Sequence, residues 1–177
     1  MTLRYDLGEL VTAMVTPMNQ DGTVNYDKAE ELANYLVENE SDAILVAATT
    51  GESPTLEHEE ELEILSSVKR AVAKRAKIIM NAGSNSTAYA VKYAKLAEKE
   101  ECVDAILSVV PYYNKPSQEG MYAHFASVAE AVDLPIILYN IPSRTGVNLM
   151  PKTIKRLYDN YKNIVGVKQS CADMDLV

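Results

Sequence analysis

Six short runs of apolar, largely β-branched residues recur along the chain, and longer stretches with helical spacing separate them. The runs are too short for helices and too continuously apolar for half-exposed strands, so they predict buried parallel strands. They cover residues 10–16, 43–49, 77–82, 105–110, 135–140 and 164–168. The separating stretches predict helices over residues 26–39, 56–74, 87–100, 119–132 and 151–161. This alternation predicts an α/β fold throughout the chain.

Local signals at the helix starts agree with this pattern. Asn25, Ser86 and Ser117 stand where three helix N-caps are expected, and Pro151 suits a first helical turn, where its missing N–H costs nothing. Strand starts recur roughly every 30 residues, about the length of one βα unit. The segment DAILV at 42–46 resembles DAILS at 104–108. That similarity indicates either a repeated unit or the few residue types that buried strands use.

Composition limits the classes of partner. The chain has 177 residues, is 47% apolar and carries a formal net charge of -8, so on average it repels nucleic acids and anionic membranes. We therefore expect small molecules and other subunits as partners. Cys102 and Cys171 lack disulfide or zinc-ligand spacing, which favours a reducing cytoplasm and no metal. The start of the sequence matches neither a signal nor a transit peptide, and no apolar run approaches the ~18 residues of a membrane span.

Six parallel strands fit either an open doubly wound sheet or a barrel, and the loops after the strands favour the barrel. The loop PMNQDG at 17–22 lacks the glycine pattern of a nucleotide-binding turn. Barrel enzymes build their active sites at the carboxyl ends of their strands. Polar residues gather at such ends here: Thr16, Thr49, Thr50, Tyr112, Tyr113, Tyr139, Asn140 and Lys168.

Lys168 is the first candidate for chemistry. It ends a strand whose other residues, 164–167, are apolar or glycine, so we expect a buried stem and a partly desolvated ammonium group. A lysine that is neutral for part of the time can attack a keto group and form an imine, which is an electron sink for carbon–carbon bond formation. The alternative is a structural ion pair between Lys168 and a carboxylate.

Proton transfer and carboxylate binding need further side chains. His58 and His124 fall within predicted helices, which leaves hydroxyl groups as the candidates for proton transfer. Tyr139 ends the strand before that of Lys168 and is placed to relay a proton, unless its ring only packs at the rim. Arg144 has a planar fork suited to a substrate carboxylate, although a surface salt bridge fits the sequence somewhat better.

Four motifs stand in one order along the chain. They are ATTGES at 48–53, PYYNKPSQEG at 111–120, LYNIPSRTG at 138–146 and GVK at 166–168. Together they resemble the GTTGES, PYYNxPSQEG and LYNxPxRTG loops and the lysine-bearing strand of the dihydrodipicolinate synthase and N-acetylneuraminate lyase superfamily of class I aldolases. The resemblance extends over essentially the whole chain and implies a TIM (β/α)8 barrel.

The resemblance implies condensation of pyruvate with L-aspartate 4-semialdehyde, on the diaminopimelate route to lysine, without a cofactor or metal. Lys168 would hold pyruvate as an imine. A hydroxyl relay would comprise Tyr139, Thr50 and Tyr113, with Tyr113 contributed across a subunit interface. The family assembles as a cytoplasmic homotetramer of tight dimers, which we expect here as well.

Further roles also follow from the resemblance. Thr49 and Thr50 would hold the pyruvate carboxylate, and Arg144 would receive the carboxylate of the aldehyde substrate. Two positions depart from the family pattern. Ala48 replaces a glycine, and we expect this residue to be tolerated if its φ is negative. Gln169 replaces a glutamate, and we expect this change to remove a negative charge beside the catalytic lysine.

Feedback inhibition by lysine is a separate question. Positions that bind lysine at the subunit interface in the family match here, namely Ser53, His58, Asn85 and Tyr112. Glu61, however, stands where a histidine is found, and Tyr89 where a glutamate helps to hold the effector's ammonium. We hypothesise that lysine inhibits weakly or not at all, and micromolar inhibition would refute this.

A whole (β/α)8 barrel takes ~250 residues. We therefore interpret residues 1–177 as the N-terminal part of a single barrel domain, holding its first six βα units without the last two and a C-terminal helical extension. Either the sequence represents part of a synthase, or it is a non-catalytic fragment that needs a partner. Reduction by borohydride with pyruvate separates these hypotheses, and we expect little or no adduct from the isolated 177 residues, because an unclosed sheet exposes unpaired backbone groups.

Among enzymes, one alternative remains open. A pyruvate-dependent aldolase that acts on sugar acids or N-acetylneuraminate would use the same lysine and tyrosine. The loop NKPS at 114–117 favours the synthase. Aldol cleavage of sugar acids that outpaces condensation with the semialdehyde would overturn this choice.

Overall fold

The computed structural model describes residues 4–171 and 173–174, and strands and helices alternate along them as expected. The chain end at Val177, where we interpret the barrel as unfinished, lies outside the described residues. The strands are β1 (Val11–Ala13), β2 (Ala43–Val46), β3 (Lys77–Asn81), β4 (Ala105–Val109), β5 (Ile136–Asn140) and β6 (Ile164–Gln169). The helices are α1 (Tyr26–Glu38), α2 (His58–Val72), α3 (Thr87–Lys99), α4 (Gln118–Ala129), α5 (Pro142–Thr145) and α6 (Pro151–Asn160).

The helix starts follow the predicted caps. The side chains of Asn25, Ser86 and Ser117 each accept a hydrogen bond from a backbone N–H of the first turn of their helix, at 2.9, 3.4 and 3.2 Å. Pro151 is the first residue of α6, as predicted. α2 begins two residues later than predicted, because Glu57 caps it and forms a capping box with Glu60.

Other element bounds depend on backbone turns that the periodicity does not show. β2 ends three residues before the predicted bound, where Ala47 takes a left-handed φ of 48°. The predicted helix over residues 119–132 ends earlier, at Ala129. α5 was not predicted. It is a single turn that begins at Pro142 and ends at Gly146, whose φ of 73° suits the residue that follows a helix.

The chain divides into two compact units. The N-terminal unit comprises residues 6–81 and 102–104 and contains β1 to β3 with α1 and α2. Its three strands pair in parallel and in chain order. α1 packs against α2, and it buries its small residues Ala29 and Ala33, whereas α2 buries Ile64, Leu65 and Val68. Removal of these apolar side chains from water is the main stabilising contribution in this unit.

Two aspartates hold the starts of strands in the N-terminal unit. The Asp42 carboxylate accepts hydrogen bonds from the backbone N–H groups of Glu9 and Leu10, at 2.7 and 2.8 Å. These backbone donors lower the pKa of Asp42. The Asp104 carboxylate accepts from the N–H of Ile78 at 2.9 Å. The two similar segments that begin with these aspartates therefore use them in the same way.

The C-terminal unit comprises the remaining described residues and contains α3 to α6 with β4 to β6. Its strands also pair in parallel and in chain order. The largest fully buried side chains of this unit are Ile106, Leu107, Met121, Phe125, Ile136, Leu138, Leu149 and Leu157. All of them except Leu149, which lies just before α6, come from strands and from α4 and α6, as expected for helices that cover a parallel sheet.

Arg4 closes the end of α6 immediately before β6. Its guanidinium donates hydrogen bonds to the carbonyl oxygens of Tyr158, Tyr161 and Ile164, at 2.5, 2.9 and 3.2 Å. It also lies 3.4 Å from the centroid of the Tyr158 ring. A cation at the carboxyl end of a helix satisfies its last carbonyl groups and complements the helix dipole. This contact fixes the entry into β6.

His124 is a buried polar residue of α4. Its side chain is 3% exposed, and Nδ1 lies 2.9 Å from the Thr87 hydroxyl of α3. Nε2 is buried and has no hydrogen-bond partner among the described residues. Burial disfavours the charged imidazolium and lowers the pKa of His124 from 6.5 to about 4.

We expect His124 to make the protein less stable in acid. The unfolded histidine gains its proton near pH 6.5 and the folded one only near pH 4, so stability falls between these values by about 3 kcal/mol and then levels off. His124→Gln should remove this part of the pH dependence in urea unfolding. His58→Gln is the matched control, because His124 remains and the loss should persist. An unchanged slope in His124→Gln would contradict the assignment.

Candidate active site

Lys168 lies next to Tyr139 at the ends of β6 and β5. The two residues are register partners, and Lys168 Nζ is 4.6 Å from the centroid of the Tyr139 ring. Tyr139 is 4% exposed, whereas Lys168 is half-buried. The ammonium group therefore faces an aromatic surface within the C-terminal unit, a placement favourable to a cation.

A one-residue irregularity in β6 produces this pairing. Ile136 pairs with Ile164, but Ile137 pairs with Gly166, so Val165 has no register partner in β5. Successive strand residues point to opposite faces of a sheet. Without the extra residue, Lys168 would pair with Asn140 and point away from Tyr139. The bulge at Val165 thus sets the face of the sheet on which Lys168 lies.

Gln169 lies on the face opposite to Lys168. Its Oε1 accepts a hydrogen bond from Asn140 Nδ2 at 3.0 Å, and its Nε2 donates to Cys171 Sγ at 3.1 Å. From the sequence alone, a residue next to Lys168 is expected to influence the charge around the lysine. Because successive residues of a strand point to opposite faces, the Gln169 amide instead contacts Asn140, and this hydrogen bond joins β6 to β5.

Lys168 has no carboxylate partner within 4.0 Å among residues 4–171 and 173–174. The six ion pairs among these residues involve other cations. The alternative interpretation of Lys168, a structural ion pair with a carboxylate, is therefore not favoured. No salt bridge among the described residues therefore occupies the Lys168 amine.

Arg144 lies on α5 and is exposed. In the described part of the chain its guanidinium forms neither a hydrogen bond nor an ion pair. The surface salt bridge that we considered for Arg144 is thus not found. The turn that carries it is held by the Thr145 hydroxyl, which donates to the Ile141 carbonyl at 2.9 Å. All five donors of the guanidinium remain available for an anion.

The tyrosine pair after β4 lies on an exposed loop. Tyr112 is 40% exposed and Tyr113 87% exposed. Tyr113 has a φ of 69°, and the N–H of Asn114 donates to the carbonyl of Tyr112 at 2.8 Å, which closes a γ-turn. The Asn114 amide in turn donates to the Asn85 carbonyl at 2.8 Å. The loop therefore holds Tyr113 in a strained and outward position.

The two threonines follow β2 in the N-terminal unit, and both are exposed. The loop behind them is tightly packed, since the Thr16 hydroxyl donates to the Gly51 carbonyl at 2.6 Å. A Cβ atom on Gly51 would lie 3.1 Å from the Met14 carbonyl oxygen. Ala48 is buried and is not among the described residues with positive φ. An alanine in place of the family's glycine is therefore tolerated at this position, as expected for a residue without a positive φ.

A known protein family matches this chain over almost its entire length. The profile of the dihydrodipicolinate synthetase family covers residues 6–177. The chain belongs to this family. Its curated relatives include the 4-hydroxy-tetrahydrodipicolinate synthases of Symbiobacterium thermophilum, 53% identical over 167 residues, and Thermosynechococcus vestitus, 54% identical over 172 residues. These matches cover 94% and 96% of this chain but only 56% and 57% of the relatives.

Solved structures of dihydrodipicolinate synthetase family members share this fold. A lysine-bound enzyme from Cyanidioschyzon merolae matches with a TM-score of 0.93 at 47% identity, over 96% of this chain and 58% of that one. A chloride-inhibited enzyme from Acinetobacter baumannii, complexed with pyruvate, matches with a TM-score of 0.93 at 42% identity, over 97% and 58%. The predicted fold class is confirmed: the chain holds the first six βα units of a TIM (β/α)8 barrel.

The residues expected at the effector site of the dihydrodipicolinate synthetase family fall in both units. Ser53 and His58 belong to the N-terminal unit, Asn85 and Tyr112 to the C-terminal unit. The Ser53 hydroxyl donates to the Glu61 carboxylate at 2.8 Å, and His58 Nδ1 lies 3.4 Å from the same group. Burial raises the pKa of Glu61 despite these two contacts, because its side chain is only 12% exposed.

Two amide side chains with structural contacts were missed from the sequence. Gln118 Nε2 donates to the backbone carbonyl of Asn148, in the segment before α6, and the side-chain oxygen of Asn148 accepts from Asn140. Gln118 lies within the PSQEG motif at 116–120, so the motif itself was the available signal.

Within the described residues, no cluster of three or more His, Cys, Asp or Glu side chains is placed to hold a metal ion. None of the helices described has the length and apolar character needed to cross a bilayer.

We expect Glu61→Gln to stabilise the protein at neutral pH. Because the folded pKa is raised above 4.5, ionisation costs stability as the pH rises through that value and through the folded pKa. Glutamine keeps an acceptor for Ser53 without the buried charge. The melting temperature should rise by a few degrees at about pH 7, and the difference should close at about pH 3. Glu63→Gln, at an exposed position of α2, is the control, and an equal gain there would contradict this account.

Proposed function

We propose that the protein is a 4-hydroxy-tetrahydrodipicolinate synthase, a lyase of the class I aldolase type that condenses pyruvate with L-aspartate 4-semialdehyde in lysine biosynthesis. The observation that carries the proposal is the position of Lys168 Nζ, 4.6 Å from the ring centroid of the buried Tyr139. The names of the relatives from Symbiobacterium thermophilum and Thermosynechococcus vestitus support the same reaction. The pyruvate complex of the Acinetobacter baumannii enzyme supports the first substrate.

In the proposed reaction, the neutral Lys168 amine adds to the keto carbon of pyruvate. The resulting carbinolamine loses water and becomes an imine, whose nitrogen withdraws electrons from the neighbouring methyl carbon. Loss of a methyl proton gives an enamine that attacks the aldehyde carbon of the second substrate. Tyr139 is the proposed carrier of protons to and from the carbinolamine, because its phenol belongs to the residue that pairs with Lys168.

The remaining roles are proposed from the family resemblance and from local structure. Thr49 and Thr50 are exposed, and we assign their hydroxyl groups to the pyruvate carboxylate, with Thr50 also taking part in proton transfer. Arg144 is assigned to the carboxylate of the aldehyde, which its unpaired fork suits. Tyr113 and Tyr112 are assigned to contacts with a second subunit, and their exposure of 87% and 40% supports this assignment.

Borohydride trapping with pyruvate tests the proposed imine. In the chain continued to the length of its relatives, we expect a reduced pyruvate adduct on Lys168, found by mass spectrometry of the digested protein, and none in Lys168→Ala. Tyr139→Phe keeps the ring beside the amine but removes the hydroxyl, so the adduct should form about 100-fold more slowly. Lys162→Ala, an exposed lysine before β6, is the matched control and should trap normally.

The chain spans about 57% of the length of the curated relatives it matches, so trapping is best measured on two proteins. One is the chain of 177 residues, and the other is the same chain continued by the remaining length of the Symbiobacterium thermophilum relative. An adduct on Lys168 in the continued chain supports the proposal, whether or not the shorter chain traps pyruvate. If the continued chain folds and traps none, the proposed function is wrong.

Arg144→Lys tests recognition of the second substrate. Lysine keeps the positive charge but cannot form two parallel hydrogen bonds, so we expect KM for L-aspartate 4-semialdehyde to rise about 10- to 100-fold. Trapping of pyruvate should remain as in the unchanged protein. Arg156→Lys, on the exposed surface of α6 where the arginine contacts Glu119, is the control. A loss of pyruvate trapping in Arg144→Lys would refute the division of roles.

A further inference from the structure

The connector of residues 146–150 joins α5 to α6, and Asn140 of β5 binds its backbone. Asn140 is fully buried. Its Nδ2 donates to Leu149 O at 3.2 Å and to Asn148 Oδ1 at 2.8 Å, and its Oδ1 accepts from the N–H of Leu149 at 2.9 Å. The same Nδ2 also donates to Gln169 Oε1 at 3.0 Å. One amide thus joins the connector to both β5 and β6.

Gln118, at the start of α4, binds the same connector from a second element. Its Nε2 donates to the Asn148 carbonyl at 2.7 Å, and its Oε1 accepts from the N–H of Met150 at 3.1 Å and from the Thr153 hydroxyl at 2.7 Å. Together, the two amides satisfy the backbone carbonyls of residues 148 and 149 and the N–H groups of residues 149 and 150. Backbone groups without strand or helix partners need such contacts.

The connector follows α5, the four-residue turn that carries Arg144. One end of α5 follows directly from β5, and the other end leads into the connector through Gly146. The Arg144 guanidinium has no hydrogen bond or ion pair to another described residue. The place of its Cα therefore depends on the backbone of α5. The Thr145 hydroxyl holds that backbone by donating to the Ile141 and Val147 carbonyls, and the contacts of Asn140 and Gln118 hold the connector into which it leads.

We propose that Asn140 and Gln118 are positioning residues for Arg144, because they hold the connector that follows its turn and so place the backbone from which Arg144 projects. The inference rests on the proposed function, in which Arg144 receives the carboxylate of the aldehyde substrate. The two amides act on the binding of that substrate and not on the formation of the pyruvate imine. Neutral amides suit this role, since each both donates and accepts without a charge that would compete for Arg144.

Two isosteric substitutions test the proposal. Asn140→Leu and Gln118→Met each replace the amide with an apolar group of similar size, and so remove its hydrogen bonds to the connector without adding a charge. Gln118→Met is the more discriminating variant, because residue 118 is not a neighbour of Tyr139 in the chain. Gln20→Met makes the same chemical change at an exposed position of the loop after β1, and it is the matched control.

Hydrogen exchange and kinetics give separate readouts. We expect the amides of Leu149 and Met150 to exchange about tenfold faster in both variants than in the unchanged chain, while amides of β5 stay protected. KM for L-aspartate 4-semialdehyde should rise about tenfold or more, with pyruvate trapping on Lys168 retained. The Gln20→Met control should match the unchanged protein in all three measurements.

The outcomes distinguish the two proposals. Absence of pyruvate trapping in the continued chain, when that chain folds, defeats the proposed function. Normal trapping together with unchanged exchange and KM in both variants defeats only the positioning role. A loss of trapping and of affinity for the semialdehyde in proportion to a lower melting temperature also defeats it, because that pattern indicates general destabilisation.

Discussion

The candidate chemistry depends on the register between β5 and β6. A parallel pair with regular register would place Lys168 beside Asn140, and the amine would point to the face that carries the amide network. The unpaired Val165 shifts the pairing by one residue, so Lys168 meets Tyr139 and Gln169 meets Asn140. Both side-chain contacts agree with the shifted register. Because of this one extra residue, Lys168 lies on the face of β6 that carries Tyr139, and Gln169 lies on the face that carries the Asn140 hydrogen bonds.

Neutral amides provide much of the order in the loops that follow the strands. Asn114 binds the Asn85 carbonyl, Asn140 binds the connector, and Gln118 binds it from α4. These loops lie beside residues proposed to bind two substrates that carry carboxylates. Acidic side chains in the same places would repel those substrates, and basic ones would bind them in competition with Arg144. An amide satisfies backbone groups of both kinds without either effect.

Local signals in the sequence predicted the alternation of elements, the N-caps at Asn25, Ser86 and Ser117, and the placement of Lys168 beside Tyr139. The bulge at Val165 was not predictable, because nothing within IVGVKQ at 164–169 marks which residue lacks a partner in another strand. The contact of Gln169 with Asn140 was missed for the same reason. α5 was missed because a single turn has no helical periodicity. The catalytic roles themselves stay predictions until imine formation is measured.

The γ-turn at Tyr113 has a consequence for association. A tyrosine with a φ of 69° is held in a conformation that costs about 1–3 kcal/mol, and the bonds of Asn114 to the Tyr112 and Asn85 carbonyls keep it there. The turn thus fixes the backbone from which the exposed ring projects. On contact with a neighbouring surface, this backbone would lose little conformational entropy, because it is already ordered.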